Sequence, residues 1–208
     1  MVHVVGDYCT EVRQECLHWK DNDGNFRRCE VFKPSVCIGK KIKKDFCIDV
    51  DEYSNKWDIY PMTDISFFQA QKICKEDGKR LCQESEWELA CEGKEMYPYT
   101  TGLYRPTDVC NIDVEHLLDN RDNFINLTEP STSLTQCVSS FGVRNMNGNA
   151  DEWVIRDHSS APEDTKSITH QNALKGGWWG TLRDRCMPST TGHGDNFHEL
   201  QIGFRCCK

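Results

Sequence analysis

Thirteen cysteines are spread along the 208-residue chain, and they constrain its fold more than any other feature. No two of them have Cys-x-x-Cys spacing, so the sequence contains neither a zinc ribbon nor a thioredoxin-type redox motif. Scattered cysteines without metal-ligand spacing are typical of a disulfide framework formed in an oxidising compartment. The alternative is a reducing compartment in which buried thiols pack as small apolar side chains. Because the total is odd, at least one thiol stays free or pairs with another chain.

The acidic composition argues against a nucleic-acid partner. Lys and Arg number 25 and Asp and Glu number 33, giving 25 − 33 = −8, whereas binding to phosphate backbones needs clustered basic surface. The basic run "KKIKK" at 40–44 is interpreted as a solvated turn between strands. No apolar run approaches the ~20 residues that a membrane-spanning helix requires. A transmembrane segment is therefore not expected.

The expected location is outside the cytoplasm, as a secreted, periplasmic, cell-surface or virion protein, because of the predicted disulfides. The first nine residues, "MVHVVGDYC", have neither the basic nor the apolar region of a signal peptide. We therefore expect that a leader was removed or that export follows another route.

The first 45 residues are predicted to form an irregular N-terminal strap that its four cysteines cross-link. They show little helical periodicity and contain several turn signals. Residues 44–53 then alternate apolar and polar side chains, with Phe46, Ile48 and Val50 on one face. This alternation predicts a strand.

Two amphipathic helices are predicted to follow the strand. Asp64 or Ser66 can cap the first helix, whose apolar residues recur at helical spacing until Gly78 supplies the stop. The second helix is short and ends before Gly93. From 94 to 137 the chain is polar and weakly periodic, and a loop of that length in a compact domain is usually functional or stabilised by an ion.

Five motifs in the last four-fifths of the chain occur in a specific order. They are "GKRLCQESEWELACEG" (78–93), "NMNGNADEWV" (145–154), "LKGGWWG" (174–180), "RDRC" (183–186) and "IGFRCC" (202–207). Together they resemble the formylglycine-generating enzyme, or sulfatase-modifying factor, family. The resemblance implies an α+β fold of the C-type-lectin-like type, disulfide-rich and with little regular secondary structure. The domain is placed at 46–208, after the strap.

The resemblance also implies disulfide pairings that spacing alone leaves open. Cys74 on the first helix would bridge to Cys206, and Cys91 at the end of the second helix would bridge to Cys186. Each bridge would close a loop of about a hundred residues, which is worth ~4–5 kcal/mol on the chain-entropy model. Cys186 is therefore interpreted as a structural cysteine and not as a reactive thiol. The partners of the strap cysteines, Cys47, Cys82 and Cys207 are left open.

Two chemistries of the resembled family lack their residues in this sequence. The oxidising members bind copper through two further cysteines between a Gly-Gly-Ser turn and the Arg-x-Arg-Cys motif. Here that interval, 178–182, contains no cysteine, and Trp178 stands where the serine would be. Without a thiolate pair there is no soft Cu(I) site, so formylglycine generation by that mechanism is not expected. The related sulfoxide synthases use a three-histidine iron site shared with an extra helical domain, which has no counterpart in these residues.

The motif "NMNGNADEW" is the best candidate for a metal site, because it resembles a calcium-binding turn of the family. The implied ligands are the side chains of Asn145 and Glu152 and the carbonyls of Gly148 and Ala150. Calcium takes six to eight oxygen ligands of this mixed kind. The alternative is that Asn147-Gly148 is merely a type I′ hairpin turn.

A second calcium site is implied at Asn111 and the carbonyl of Ile112, with Asp122 as the downstream ligand. The alternative is an acidic, solvated loop that a Cys110–Cys137 bridge holds together. One or two structural calcium ions are the cofactors expected from this sequence.

The loop between the "RDRC" and "GFRCC" motifs is expected to face a ligand, because the corresponding segment lines the groove of the resembled family. After the Gly-Gly turn, alternation predicts that one of Trp178 and Trp179 points inward and the other outward. An exposed tryptophan beside Arg183 and His193 would suit recognition of a sugar or peptide. Core packing of both rings is the alternative.

The segment "HGDNFHE" (193–199) raises an enzymatic alternative. His193, Asp195 and His198, or Glu199 in place of one, are the residue types of a non-haem iron facial triad. Their spacing needs a helical turn that the neighbouring glycines disfavour, so the interpretation preferred is polar residues on the rim of a loop.

The function predicted from the sequence is non-catalytic recognition of a glycan or protein at a surface, through a groove formed by residues 176–200. A metal-dependent oxidoreductase of unassigned substrate is the second hypothesis. A structural component of a virion or cell surface is the third, and the oligomeric state is left open.

Overall fold

Short strands and two helices, separated by long loops, make up the described part of the chain. The computed structural model describes residues 1–21, 27–55, 57–157, 171–181 and 183–208. Its elements in chain order are β1 (Val2–Cys9), β2 (Val12–Arg13), β3 (Cys16–Trp19), β4 (Cys29–Phe32), β5 (Val36–Cys37), β6 (Lys41–Ile48), α1 (Phe67–Glu76), β7 (Arg80–Leu81), α2 (Glu84–Glu92), β8 (Asp151–Ile155), β9 (Asn172–Lys175), β10 (Ser189–Thr190), β11 (Ile202–Phe204) and β12 (Cys206–Cys207). This is the mixed α+β architecture that the sequence predicts.

The first sheet joins the start of the chain to its end, in the order β1-β6-β12-β7. β1 pairs antiparallel with β6 over eight residue pairs. The alternation predicted for β6 is confirmed at Phe46 and Ile48, which are buried. The strand itself lies at 41–48, so the prediction of 44–53 placed both ends too late in the chain.

The N-terminal residues are more regular than their turn signals predict. β1 spans eight residues and buries Val4 and Tyr8 in the same core cluster as α2. The insert between β1 and β6 forms two small antiparallel pairs, β2 with β5 and β3 with β4. Its cross-links are Cys9–Cys37 and Cys16–Cys29. The pairing of β1 with a strand distant in sequence stabilises it, and local turn signals carry no information about that pairing.

Helix α1 begins at a capping box. The Ser66 hydroxyl accepts a hydrogen bond from the Gln69 backbone N–H at 3.3 Å, and the Gln69 side chain accepts one from the Ser66 N–H at 2.9 Å. Of the two predicted caps, Ser66 is therefore the one used. After the helix, Gly78 adopts φ +68°, a conformation that favours glycine and stops the helix as predicted.

Helix α2 is buried along its whole length. Glu84, Glu88 and Glu92 recur every four residues, so they form one row along the helix. Glu88 accepts a hydrogen bond from the Tyr8 hydroxyl at 2.7 Å and pairs with the Lys175 ammonium at 2.6 Å. These two contacts connect α2 to β1 and β9.

Two adjacent cysteines on β12 connect opposite sides of the first sheet. Because side chains alternate across a strand, Cys206 and Cys207 point to opposite faces. Cys206 bonds to Cys74 on α1, which is the pairing that the resemblance implies. Cys207 bonds to Cys82, a pairing that the sequence left open.

The second sheet has the order β10-β9-β8-β11, in which β8 and β11 run parallel and the other neighbours antiparallel. Trp153, Leu174 and Phe204 from this sheet pack with the buried face of α1. Between α2 and β8, residues 93–150 are all described and form turns and isolated bridges, as their polarity predicts. Neither α1 nor α2, the helices of the described ranges, is long and apolar enough to cross a membrane.

Candidate functional site

Four chain segments meet at one end of the second sheet. β8 begins at Asp151, and its next residue, Glu152, is the register partner of Lys175, where the antiparallel strand β9 ends. β11 begins beside Asp151, because it runs parallel to β8. β10 begins beside Lys175. The described residues 176–181 and 183–201 therefore connect strands at the same end of the sheet. We call this end the recognition groove, after the role that the sequence predicts for it.

The two tryptophans after β9 have different environments. Trp179 is fully buried, while Trp178 is half-buried, so one ring points inward and the other outward, as alternation predicts. The Trp178 ring packs edge-to-face against Trp179, with centroids 5.3 Å apart, and against Phe124, with centroids 5.8 Å apart. These contacts fix the outer ring and leave part of it accessible.

A buried ion pair lies in the groove. The Arg183 guanidinium donates to one carboxylate oxygen of Asp151 at 2.6 Å, and Asp151 is only 2% exposed. Among the described residues, the other Asp151 oxygen, Oδ1, and the Nη1 atom of Arg183 are buried without a hydrogen-bond partner. Buried polar atoms are normally paired, so this pair leaves one acceptor and one donor unsatisfied. The resembled family usually has an aromatic or apolar residue where Asp151 stands.

The charges of Asp151 and Arg183 also act on His193. Its ring stacks on Phe197 with centroids 3.9 Å apart and an angle of 5° between the planes. Burial lowers the pKa of His193 below 6.5. The negative charge of Asp151 opposes this decrease, and the positive charge of Arg183 adds to it. His193 is therefore mainly neutral at pH 7, with one ring nitrogen to donate and one to accept.

The facial triad considered from the sequence is not assembled. The carboxylate of Asp195 accepts a hydrogen bond from the side-chain amide of Asn172. His198 lies 2.7 Å from Asp64 through its Nδ1 atom, and His193 stacks on Phe197. In the described ranges, which include Glu199, no three His, Cys, Asp or Glu side chains are placed to hold a metal ion.

The predicted calcium ligand Glu152 is engaged by other side chains. Its two oxygens accept hydrogen bonds from Arg205 at 2.6 and 2.7 Å, and the indole N–H of Trp87 donates to one of them at 2.7 Å. Arg205 is fully buried, so this is an internal ion pair, as expected for an arginine of the terminal motif. Glu152 therefore stabilises the core through Arg205 and Trp87, whether or not an ion is bound beside it.

The structure places a second buried carboxylate, Glu52, beside the calcium motif. Its oxygens accept from the amide of Asn145 at 3.0 Å and from the amide of Asn149 at 2.8 and 3.1 Å. Burial raises the pKa of Glu52 to about 8, and the Glu152 charge adds to this, while Arg205 opposes it. Sequence reasoning missed Glu52, because no local pattern links it to a turn that lies far along the chain.

The donor set around Glu52 fits a calcium ion. The Oδ1 atom of Asn145 is buried without a hydrogen-bond partner among the described residues. A buried carboxylate and an amide oxygen are both ligands that calcium accepts. The carbonyls of Gly148 and Ala150 belong to the same buried turn.

The second predicted calcium site is only partly assembled. The Asn111 amide donates to the Leu127 carbonyl at 2.8 Å and to the Asn149 side chain at 3.0 Å. The Ile112 side chain is buried. Asp122 lies exposed in a turn and makes no described hydrogen bond or ion pair with Asn111. The structure thus brings Asn111 next to the first site through Asn149, while Asp122 lies in an exposed turn.

Twelve of the thirteen cysteines, all within the described ranges, form six disulfides. Cys91 bonds to Cys186 and Cys110 to Cys137, the two remaining pairings given in the sequence analysis. The sulfur of Cys186 is therefore not a free thiol in the groove. The free thiol is Cys47, on β6 of the first sheet. The disulfides indicate an oxidising location outside the cytoplasm.

The fold and the six disulfides define a disulfide-linked domain of the C-type-lectin-like class. The sequence profile of the sulfatase-modifying factor enzyme 1-like domain matches residues 38–208. The chain therefore belongs to this family. The match begins inside the N-terminal insert, at the residue after Cys37.

Two solved structures illustrate the shared fold. CarF superimposes with a TM-score of 0.61 at 15% identity, over 96% of this chain and 98% of its own. PvdO from Pseudomonas aeruginosa superimposes with a TM-score of 0.56 at 16% identity, over 99% of this chain and 93% of its own. At this level of identity the similarity concerns the fold alone.

Curated relatives with detectable sequence similarity are named as kinases. The serine/threonine-protein kinase pkn1 of Chlamydia caviae is 26% identical over 165 residues, which is 72% of this chain and 24% of the relative. Pkn1 of Chlamydia trachomatis is 27% identical over 163 residues, with the same coverage. The chain thus spans about a quarter of the length of these relatives.

Proposed function

We propose that this domain is a non-catalytic recognition module that binds a glycan through the recognition groove. The observation that carries the proposal is the Asp151–Arg183 pair, with its unsatisfied acceptor and donor. The half-buried ring of Trp178 follows β9 at the same end of the second sheet. Neighbouring sugar hydroxyls each donate and accept hydrogen bonds, so two of them complement one carboxylate oxygen and one guanidinium N–H. The apolar face of a sugar ring stacks on an aromatic face of this kind.

The neutral His193 ring supports the same choice of ligand. It offers a donor and an acceptor without adding charge, and Phe197 holds its plane in place. The groove therefore presents one positive and one negative side chain that already neutralise each other. Such a surface selects polar, uncharged groups over a strongly charged ligand.

Calcium is part of the proposal as a structural cofactor. We place one ion at Glu52 and the Asn145 side-chain oxygen, with the carbonyls of Gly148 and Ala150 and with Glu152 at its edge. When bound, the ion would supply positive charge to the buried Glu52 carboxylate and to the unsatisfied Asn145 oxygen. We propose one ion and not two, because Asp122, the downstream ligand implied for the second ion, is exposed.

The experiment is a screen of the purified chain against an immobilised glycan set, followed by titration calorimetry with the glycans that bind. Trp178→Ala and Arg183→Gln should each weaken binding by about tenfold or more, because each removes a central contact. Trp57→Ala is the matched control, since Trp57 is 97% exposed in a loop outside the groove. Equal losses of binding in the Trp57→Ala and Trp178→Ala variants would refute the proposal that the glycan binds in the groove. If only a protein ligand bound, and its binding depended on Trp178 in the same way, the proposed ligand would be a protein and not a glycan.

A further inference from the structure

A second groove lies on the outer face of the first sheet, away from the recognition groove. It has a volume of about 440 Å³. Its charged lining comes from β1, β6 and the segment after α2: Lys41, Lys43, Lys44, Lys94, Asp7 and Asp45. We call it the lysine groove, because four lysines and two carboxylates line it in a chain whose net charge is −8.

Lys41, Lys43 and Lys94 in this groove form no ion pair with a carboxylate of the described residues. Lys40, Lys75 and Lys208 form none either, but they do not line this groove. Elsewhere, five lysines pair with carboxylates at 2.6 to 3.8 Å: Lys20, Lys33, Lys72, Lys79 and Lys175. In the lysine groove, Lys44 contacts Asp157 at 3.2 Å. No carboxylate of the described residues forms such a pair with Lys41, Lys43 or Lys94. Three ammonium groups without an ion pair therefore share one groove, where their positive charge can attract an external anion.

The strand geometry sets the spacing of these charges. Lys41 and Lys43 lie on the same face of β6, two residues apart, which corresponds to ~7 Å along an extended strand. β1 and β6 are paired over eight positions, and Asp7 is the register partner of Lys43. The Cys9–Cys37 disulfide lies at the end of the ladder, where Cys9 faces Lys41. The groove is therefore built on rigid backbone and not on a loop.

We propose that the lysine groove binds an acidic polysaccharide. Carboxylate or sulfate groups along the polymer pair with Lys41, Lys43 and Lys94, while sugar hydroxyls donate to the Asp7 carboxylate. Asp45 is held by His3 at 2.7 Å and borders the site. An acidic peptide or a nucleic acid offers fewer hydroxyl donors between its charges, so Asp7 would meet a like charge instead. This inference does not depend on the proposed function, because the two grooves lie on different sheets.

The test uses the full chain and a galacturonic acid hexasaccharide as the probe, measured by titration calorimetry. The fully methyl-esterified hexasaccharide is the control ligand, because it has the same backbone without the charges. We expect the acid form to bind, the ester not to bind, and the affinity to fall as salt is added.

Two triple variants of equal charge separate the groove from general electrostatics. The first triple variant combines Lys41→Gln, Lys43→Gln and Lys94→Gln. It should weaken binding by about tenfold or more, because each partly exposed charge contact changes the affinity a few-fold. Lys33→Gln with Lys72→Gln and Lys75→Gln, at exposed positions elsewhere, should change it by less than about twofold.

Three results would overturn the inference: equal loss in both triple variants, equal binding of the ester, or tighter binding of a glutamate hexapeptide. Trp178→Ala should leave hexasaccharide binding unchanged. Loss of binding in that variant would assign the polysaccharide to the recognition groove instead.

Discussion

Gly148 illustrates how much of this fold depends on single residues. Its φ is +78°, and a Cβ atom there would lie 2.2 Å from the carbonyl oxygen of Asn111 and 2.3 Å from the Ile112 side chain. Its N–H donates to the Gly176 carbonyl at 3.0 Å. One glycine therefore joins the calcium motif, the Asn111 loop and the turn that leads into the recognition groove.

Replacing this glycine should be costly because of both strain and overlap. We expect Gly148→Ala to lower the free energy of unfolding by ~3 kcal/mol, measured by denaturant titration. Gly142→Ala is the matched control, because Gly142 has φ +84° but no atom within 4 Å of the added Cβ. It should lose only the ~1 kcal/mol that positive φ costs a non-glycine residue. Equal losses would show that the close approach to Asn111 is not a constraint.

Glu92 gives a prediction for the pH dependence of stability. Both of its carboxylate oxygens are buried without a hydrogen-bond partner among the described residues. Burial raises the pKa of Glu92 well above 4.5. The negative charge of Glu88 raises this pKa further, while the positive charge of Lys175 partly lowers it. The folded chain therefore keeps this proton at pH values where the unfolded chain releases it. The contribution of Glu92 to stability is fully present below about pH 4.5 and falls as the pH rises towards the folded pKa.

Glu92→Gln should remove this pH dependence, because glutamine cannot ionise. We expect the variant to gain stability relative to the wild type as the pH is raised from 4 to 8, in denaturant titrations at each pH. A difference between the two proteins that stays constant over this range would contradict the buried, protonated Glu92.

At the scale of elements, the sequence predicted those features that depend on contacts between neighbouring residues. The caps and stops of α1 and the buried alternation of β6 could be read from neighbouring residues, because helix caps and strand faces depend on short-range contacts. β1 was missed, because it exists through its pairing with β6 and its packing on α2. The burial of the glutamate row on α2 was missed for the same reason, since Tyr8 and Lys175 lie far away in sequence.

The role of β1 can be tested by two deletions. Removing residues 1–40 should prevent folding, because it exposes Phe46 and leaves Glu88 without the Tyr8 hydroxyl. Replacing only residues 10–40 by a two-residue turn, together with Cys9→Ser, should give a folded chain, because Cys9 and Lys41 are already register partners. Circular dichroism melting compares the two. A cooperative melt of the first variant would show that β1 is dispensable.

At the scale of the whole molecule, the sites arise where distant segments meet. The resemblance to a family indicated the candidate calcium motif and the candidate groove, while the two side chains that would complete them could not be found from local patterns. Glu52 reaches Asn145 from the segment after β6, and Arg183 reaches Asp151 across the edge of the second sheet. Only the topology brings such residues together, so the sequence could indicate the place but not the contacts.

Calcium should stabilise the folded chain if Glu52 is a ligand. We expect the melting temperature to rise with added CaCl₂ and to fall with a chelator, since a ligand at a hundred times its Kd adds about 2.7 kcal/mol. Glu52→Gln should abolish the calcium response, whereas Asp122→Asn should retain it. A response that depends on Asp122 and not on Glu52 would place the ion in the other loop.

The most direct test of recognition by the groove is amide and indole NMR shift mapping during titration with a bound glycan. The account predicts that the largest shifts fall on Asp151 and residues 176–200, including the indole N–H of Trp178, with β1 and β6 unchanged. Shifts concentrated on the first sheet or around Trp57, with the groove unchanged, would contradict it.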